Sequence, residues 1–219
     1  MSRETDLRPA ATLAYGTDSP NQVVDLYVPD GSGPWPLVIG IHGGAFRAGT
    51  RNWELSNVPA LLEQGYAVAA VEYRLSGEAL FPAAVQDVKQ ATAYLRAHAG
   101  ELGLDYSFFA AWGRSAGGHL SAMLGVTSGQ RTEFDYPGGG DSSVQAVIDW
   151  YGPSDFLAAG TSDHLVPHQQ TLILADALRA HGTRVELHIL ENGRHGDQRF
   201  ETELKQPAIE WLEQLRKPS

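Results

Sequence analysis

One serine stands between glycines in "AAWGRSAGGHL" (110–120), in the order G-x-S-x-G. The spacing suits a tight strand-to-helix turn, because Gly113 and Gly117 carry no Cβ atoms to clash across it. Such a turn aims Ser115 Oγ out of the C-terminal edge of a sheet. The N-terminus of the following helix then offers backbone N–H groups to developing negative charge. The chemistry these residues could do is acyl transfer through a covalent intermediate on Ser115. It needs a base, an acid that orients the base, and an oxyanion hole. The bland alternative is a small residue in a βα loop. The strand-like "FFAAWG" before Ser115 and the helix-compatible "AGGHLSAMLG" after it favour the nucleophile.

"IGIHGGAF" (39–46) follows an apolar run with His-Gly-Gly, a loop type that supplies oxyanion donors. Gly43 and Gly44 can bring bare backbone N–H groups close to a substrate oxygen, and Ala116, next after the nucleophile, adds a third. His42 is expected to brace this loop, since the base of this arrangement comes last in chain order. His119, one turn into the following helix, is expected to pack. Of the eight histidines, His195 in "ENGRHGD" (191–197) has the chain order and loop context of the base. For the acid, Asp163 in "TSDHLVPHQQTLILADAL" keeps the order Ser…Asp…His. Asp155, in "YGPSDF", reads better as a helix cap or turn residue.

The elements that must position these groups are an alternation of apolar, β-branched runs with segments of helical period. That pattern predicts an α/β fold, a mostly parallel twisted sheet with helices on both faces. The strand candidates are 23–29, 36–44, 66–75, 108–113, 144–152 and "RVELHIL" (184–190). Val85, Val88, Ala91 and Leu95 make a helical stripe that would pack on the sheet. "HQQTLILADALRAHG" ends on Gly182, a good C-cap, and Pro207 marks a start or kink in the last helix.

A length of 219 residues fits one domain over 1–219. A net charge of −10 argues against a nucleic-acid backbone or an anionic membrane as partner. The absence of cysteine excludes disulfides, thiolate metal sites and a cysteine nucleophile. No apolar run approaches the roughly 20 residues that span a bilayer. The polar N-terminus lacks a secretory pattern, so the expectation is a cytoplasmic enzyme acting on a small molecule, without metal or organic cofactor.

Taken together, "HGGAF", "GRSAGGHL", "DWYGPSDF", "SDHLVPHQQ" and "GRHG" resemble the α/β-hydrolase superfamily. The chain is most similar to its hormone-sensitive-lipase-like and feruloyl or acetyl-xylan-esterase-like carboxylesterases, from about Tyr15 to the last helix. The resemblance implies Ser115 as nucleophile, Asp163 as acid, His195 as base, and Gly43, Gly44 and Ala116 as oxyanion donors. It implies a serine hydrolase of carboxylic esters, with short-chain, feruloyl or acetyl esters as substrates. Arylformamidase, prolyl-oligopeptidase-type peptidase and a non-catalytic binding protein are the rival readings.

Three departures from the family pattern stand out. Ala45 follows His-Gly-Gly and narrows the space above the hole. Arg114 precedes the serine where such esterases often carry an acidic or small residue. Only "LAAGTS" separates Phe156 from Asp163, where the family has a further strand and a long variable segment. A parallel crossover needs a dozen or more residues, so one strand and a cap-like segment are expected to be lacking here. Residues absent from the sequence, a natural loss, or completion by a partner subunit in a homodimer each account for the gap. A deletion would weaken the support of Asp163 and raise Asp155 as its rival.

Overall fold

The computed structural model describes residues 7–154, 166 and 168–216. Six strands form one sheet in the order β1-β2-β4-β3-β5-β6. They are β1 (Ala11–Ala14), β2 (Val23–Tyr27), β3 (Trp35–Ile41), β4 (Ala67–Val71), β5 (Leu104–Arg114) and β6 (Ala146–Trp150). The β1–β2 and β2–β4 pairs are antiparallel, and the ladder from β4 through β3 and β5 to β6 is parallel.

The central strands are apolar on both faces because helices cover both. Leu37, Ile39 and Ile41 of β3 share one core with Val85, Val88, Ala91 and Leu95 of α2 (Ala83–Ala97) and Leu120 and Leu124 of α4 (Ala116–Val126). The intervening Val38 faces a second core with Val58 and Leu61 of α1 (Val58–Glu63) and Ile209 and Leu212 of α6 (Lys205–Arg216). The period of two in the strands thus sorts side chains between two helical layers. The stripe expected on α2 is the face that packs.

α3 (Ala99–Leu102) is a single turn that ends on Gly103 at φ 66, and α5 (His168–Ala180) ends two residues before Gly182. A 3-10 helix (Arg51–Asn57) leads into α1, and a π-helical turn (Phe200–Leu204) leads into α6. Pro207 is the third residue of α6, directly after the π-helical turn that leads into it. β1 has four small or mixed residues with a weak pattern, and it exists because β2 offers an edge to pair with.

One expected strand is absent. Residues 184–190 belong to no ladder among the described residues. The side chains still alternate as in a strand: Val185 and Leu187 are partly buried, whereas Glu186 and His188 point outwards and meet each other at 2.8 Å. The residue pattern is therefore that of a strand, but a ladder needs a neighbour in register.

Candidate active site

Ser115 stands between β5 and α4 at φ 53 and ψ −119, a left-handed backbone that non-glycine residues rarely adopt. Glycines make the turn possible. A Cβ on Gly117 would lie 1.9 Å from the Ile41 carbonyl oxygen, and one on Gly113 would lie 2.1 Å from that of Gly117. The Ser115 N–H donates to the Trp150 carbonyl at 2.9 Å, so the end of β6 holds the turn from the side.

The Gly43–Gly44 loop, the candidate oxyanion hole, leaves β3 beside it. A Cβ on Gly43 would come within 2.8 Å of the Arg114 carbonyl oxygen and 3.4 Å of Ser115 Cβ, which brings this loop directly against Ser115. Gly44 is at φ 116, and its carbonyl accepts the N–H groups of Arg47 and Ala48 at 3.0 Å, closing the loop on itself. Ala45 and Phe46 are also left-handed, at φ 54 and 60. Ala45 therefore brings backbone strain to a position where glycine would carry none. Ala116 is buried as the first residue of α4, whose opening N–H groups have no intrahelical acceptor.

His42 is fully buried and braces the loop, as its position suggests. Its Nδ1 lies 2.8 Å from the Gly43 carbonyl oxygen and its Nε2 lies 3.3 Å from Glu72 Oε1. Its ring stacks on Tyr73 at 4.2 Å, and the Tyr73 hydroxyl donates to the His42 carbonyl at 2.9 Å. Behind it runs a chain of charges that the motifs did not reveal. Arg51 donates to Glu72 at 3.3 Å and to Asp25 of β2 at 2.6 Å. Burial opposes the charge on Glu72, but hydrogen bonds from His42 and from the Arg51 backbone hold its carboxyl below the usual range. The one signal in the sequence was a carboxylate placed directly after an apolar strand.

His195 Nε2 lies 2.9 Å from Ser115 Oγ, across 80 residues of chain. That is the separation at which a serine hydroxyl donates to an unprotonated imidazole nitrogen. The edge of the His195 ring meets Tyr151 at 4.8 Å. Its loop is tied by Asp197, which accepts two side-chain bonds from Arg199 at 3.1 and 3.0 Å, and by Arg199 reaching the Glu191 carbonyl at 3.2 Å. These bonds hold the Asp197 carboxyl far below the usual range.

His119 sits one turn after Ser115, with Nδ1 2.8 Å from the Pro153 carbonyl oxygen and its ring against Phe46. Burial lowers its pKa, partly offset by that bond, which suits a packed neutral ring. Asp163 and Asp155, the acid candidates, lie outside the described residues. Another carboxylate was missed by the sequence reading. Asp149 of β6 is pushed up to about 6 by burial, although it accepts the Gly152 N–H at 2.8 Å. It fills the space a Cβ on Gly118 or Gly152 would need, so it packs the turn beneath the nucleophile. Among the described residues no group of three or more His, Asp or Glu side chains could hold a metal ion.

A strained serine, a histidine on its oxygen and a glycine loop against the serine recur together in hydrolases, and comparison with known proteins gives this grouping its family. The BD-FAE family model matches residues 24–179, most of the chain. The chain belongs to the BD-FAE family. The prolyl oligopeptidase family model also matches, over residues 141–218, the part that carries His195 and α6.

Among curated relatives, "Esterase LipC" of Mycobacterium tuberculosis is 36% identical over 157 residues, which cover 69% of this chain and 38% of that protein. "Arylesterase" of Saccharolobus solfataricus is 41% identical over 92 residues, covering 41% and 30%. The chain thus spans about a third of the length of these two curated relatives. A rice protein named as a probable isoprenylcysteine alpha-carbonyl methylesterase aligns over 259 positions with 93% of this chain. That exceeds the whole of this chain, so several tens of the aligned positions have no counterpart here.

Among solved structures, a truncated carbohydrate esterase from gut microbiota superposes with a TM-score of 0.84 at 24% identity, covering 96% of this chain and 98% of that one. Esterase 2 of Thermogutta terrifontis, with propionate bound, superposes with a TM-score of 0.80 at 20% identity over the full length of both. Those likenesses establish the α/β-hydrolase fold.

Proposed function

We propose that this protein is a serine hydrolase of carboxylic esters. The observation that carries the reading is the 2.9 Å approach of His195 Nε2 to Ser115 Oγ, with the serine on a strained turn facing the Gly43–Gly44 loop. Ser115 attacks the ester carbonyl carbon while His195 takes its proton. The N–H groups of Gly43, Gly44 and Ala116 stabilise the oxyanion of the tetrahedral intermediate. His195, now charged, returns the proton to the departing alcohol, which leaves an acyl group on Ser115. Water, deprotonated by His195, attacks that acyl carbon and regenerates the serine. Asp163 is the acid in this proposal, orienting Nδ1 of the base.

Short acyl, acetyl and feruloyl esters are the substrates we propose. The esterase names of the relatives support them, as do the carbohydrate-esterase and propionate-bound structural neighbours. The test is treatment with a fluorophosphonate followed by intact mass. One adduct is expected on the parent chain and none on Ser115→Ala, with p-nitrophenyl acetate turnover falling by about 10³-fold or more in the variant. A parent chain that takes no adduct under conditions where it is folded overturns the reading. A panel of p-nitrophenyl esters from acetate to decanoate, with methyl ferulate, then ranks the substrates.

A further inference from the structure

The base must be held to within a fraction of an ångström of the nucleophile, yet its own segment brings little support. Upstream of His195, residues 184–190 join no ladder among the described residues, and α5 buries only Gln170 and Ala175 of its thirteen positions. Downstream, the π-helical turn at Phe200–Leu204 begins five residues later, and there the contacts with the sheet resume.

Glu201 of that turn reaches Arg114, the residue directly before the nucleophile. Arg114 Nη2 lies 2.5 Å from Glu201 Oε1 and donates to Ser56 Oγ at 2.8 Å. Glu201 Oε2 takes Lys205 at 2.6 Å, and Lys205 donates to the Ser56 carbonyl at 3.1 Å. The Arg114 guanidinium lies over the Trp150 ring, 5.3 Å from its centroid. Phe200 packs on Trp150 at 5.7 Å and on Tyr151 at 4.6 Å, and Tyr151 in turn meets His195. A closed circuit runs from Ser115 through His195, Tyr151, Phe200 and Glu201 to Arg114, back beside the serine.

We propose, resting on the ester-hydrolase reading above, that Arg114 and Glu201 are positioning residues for the base. Their ion pair clamps the π-helical turn to the end of β5, so the loop carrying His195 is fixed to the strand that carries Ser115. The clamp replaces the support that 184–190 would have drawn from a sheet. Neither residue touches the reacting atoms. Both side chains are mostly shielded, at 18% and 27% exposure, so solvent screens the pair less than an open surface pair. The pair also explains an arginine before the nucleophile, the second departure noted in the sequence.

The test is a double-mutant cycle read in kcat and KM for p-nitrophenyl acetate, in fluorophosphonate labelling rate and in melting temperature. Arg114→Met and Glu201→Gln should each lower kcat and the labelling rate about ten- to hundredfold, because misplacing a catalytic group by an ångström costs that much. KM should stay within about twofold of the parent. The variant with both changes should lose no more than the worse single, since both remove the same contact. Arg114→Lys, which keeps a cation within reach of Glu201, should recover most of the rate. Single variants at the parent's kcat, losses that multiply in the double variant, or losses that follow a fall in melting temperature overturn the clamp. A parent labelled by fluorophosphonate beside an Arg114→Met variant labelled at the same rate overturns the clamp alone. A folded parent that takes no label overturns the hydrolase reading and the clamp with it.

Discussion

Ser115 and His195 rest on regions of different construction. Ser115, the Gly43–Gly44 loop and the His42–Glu72 brace grow from β3, β4 and β5, whose central side chains are buried in the two core clusters. The chain from α5 to the His195 loop contributes to neither core cluster. It leaves Ile173 and Ile189 at 62% and 49% exposure, and packing on the sheet resumes with Phe200 and Leu204 and continues in α6 with Ile209 and Leu212. One half of the site is therefore built into a core, and the other half is hung from it by a helix, an ion pair and a few rings. The difference teaches that short hydrogen bonds within a site do not imply equal stiffness on both sides. Local opening free energies should follow buried apolar contacts and be lowest around 168–199.

That contrast can be broken from either side. The largest effect is expected for Gly117→Ala, whose Cβ would lie 1.9 Å from the Ile41 carbonyl oxygen and 2.7 Å from that of His42. Neither oxygen can swing away, so denaturant unfolding should show a loss of about 3 kcal/mol or more, with activity lost alongside. An unchanged midpoint would mean the elbow is looser than its contacts imply.

Leu212→Ala tests the apolar attachment of α6 to the sheet. The side chain is fully buried against the sheet, and truncation should cost about 3 kcal/mol in denaturant unfolding. Hydrogen exchange should rise first in 195–216. Uniform exchange across the molecule would argue that the two regions unfold as one unit.

Asp149 gives the nucleophile half a pH signature. Its folded pKa of about 6 exceeds the ordinary carboxylate value, so the fold prefers the protonated form. That preference contributes its full stability below about pH 4 and is lost as pH rises through about 6. Asp149→Asn stays neutral and keeps an acceptor for Gly152. Its stability relative to the parent should therefore grow between pH 4 and pH 7, by on the order of 2 kcal/mol. Denaturant midpoints measured at both pH values check this, and a difference constant with pH would show that Asp149 ionises freely. The smallest effect belongs to Ile173→Ser, a change on an exposed face of α5 that should leave stability within about 0.5 kcal/mol.

Much of this arrangement was legible along the chain. Five of the six expected strands appear in the sheet, because their apolar character on both faces is intrinsic to each run. Ser115 and the His-Gly-Gly loop were readable because each motif's residues lie within a few positions of one another. The charge chain from His42 through Glu72 and Arg51 to Asp25 was not, since its members come from separate elements that only the sheet order brings together. Asp149 was read as one more residue of a strand, because burial, unlike residue type, is not written locally.

By itself, then, the sequence determined the elbow, the glycine loop, five of the strands and the order in which Ser115 and His195 occur. These are short-range facts: steric freedom at glycines, side-chain period and helix polarity. Only the tertiary structure decided that 184–190 stays outside the sheet, that His195 meets Ser115 across 80 residues, and that Arg114 pairs with Glu201. A ladder, a proton-transfer contact and an ion pair each need a second partner brought from far along the chain. Which partners meet depends on the order in which the strands pack, and no stretch of residues carries that order alone.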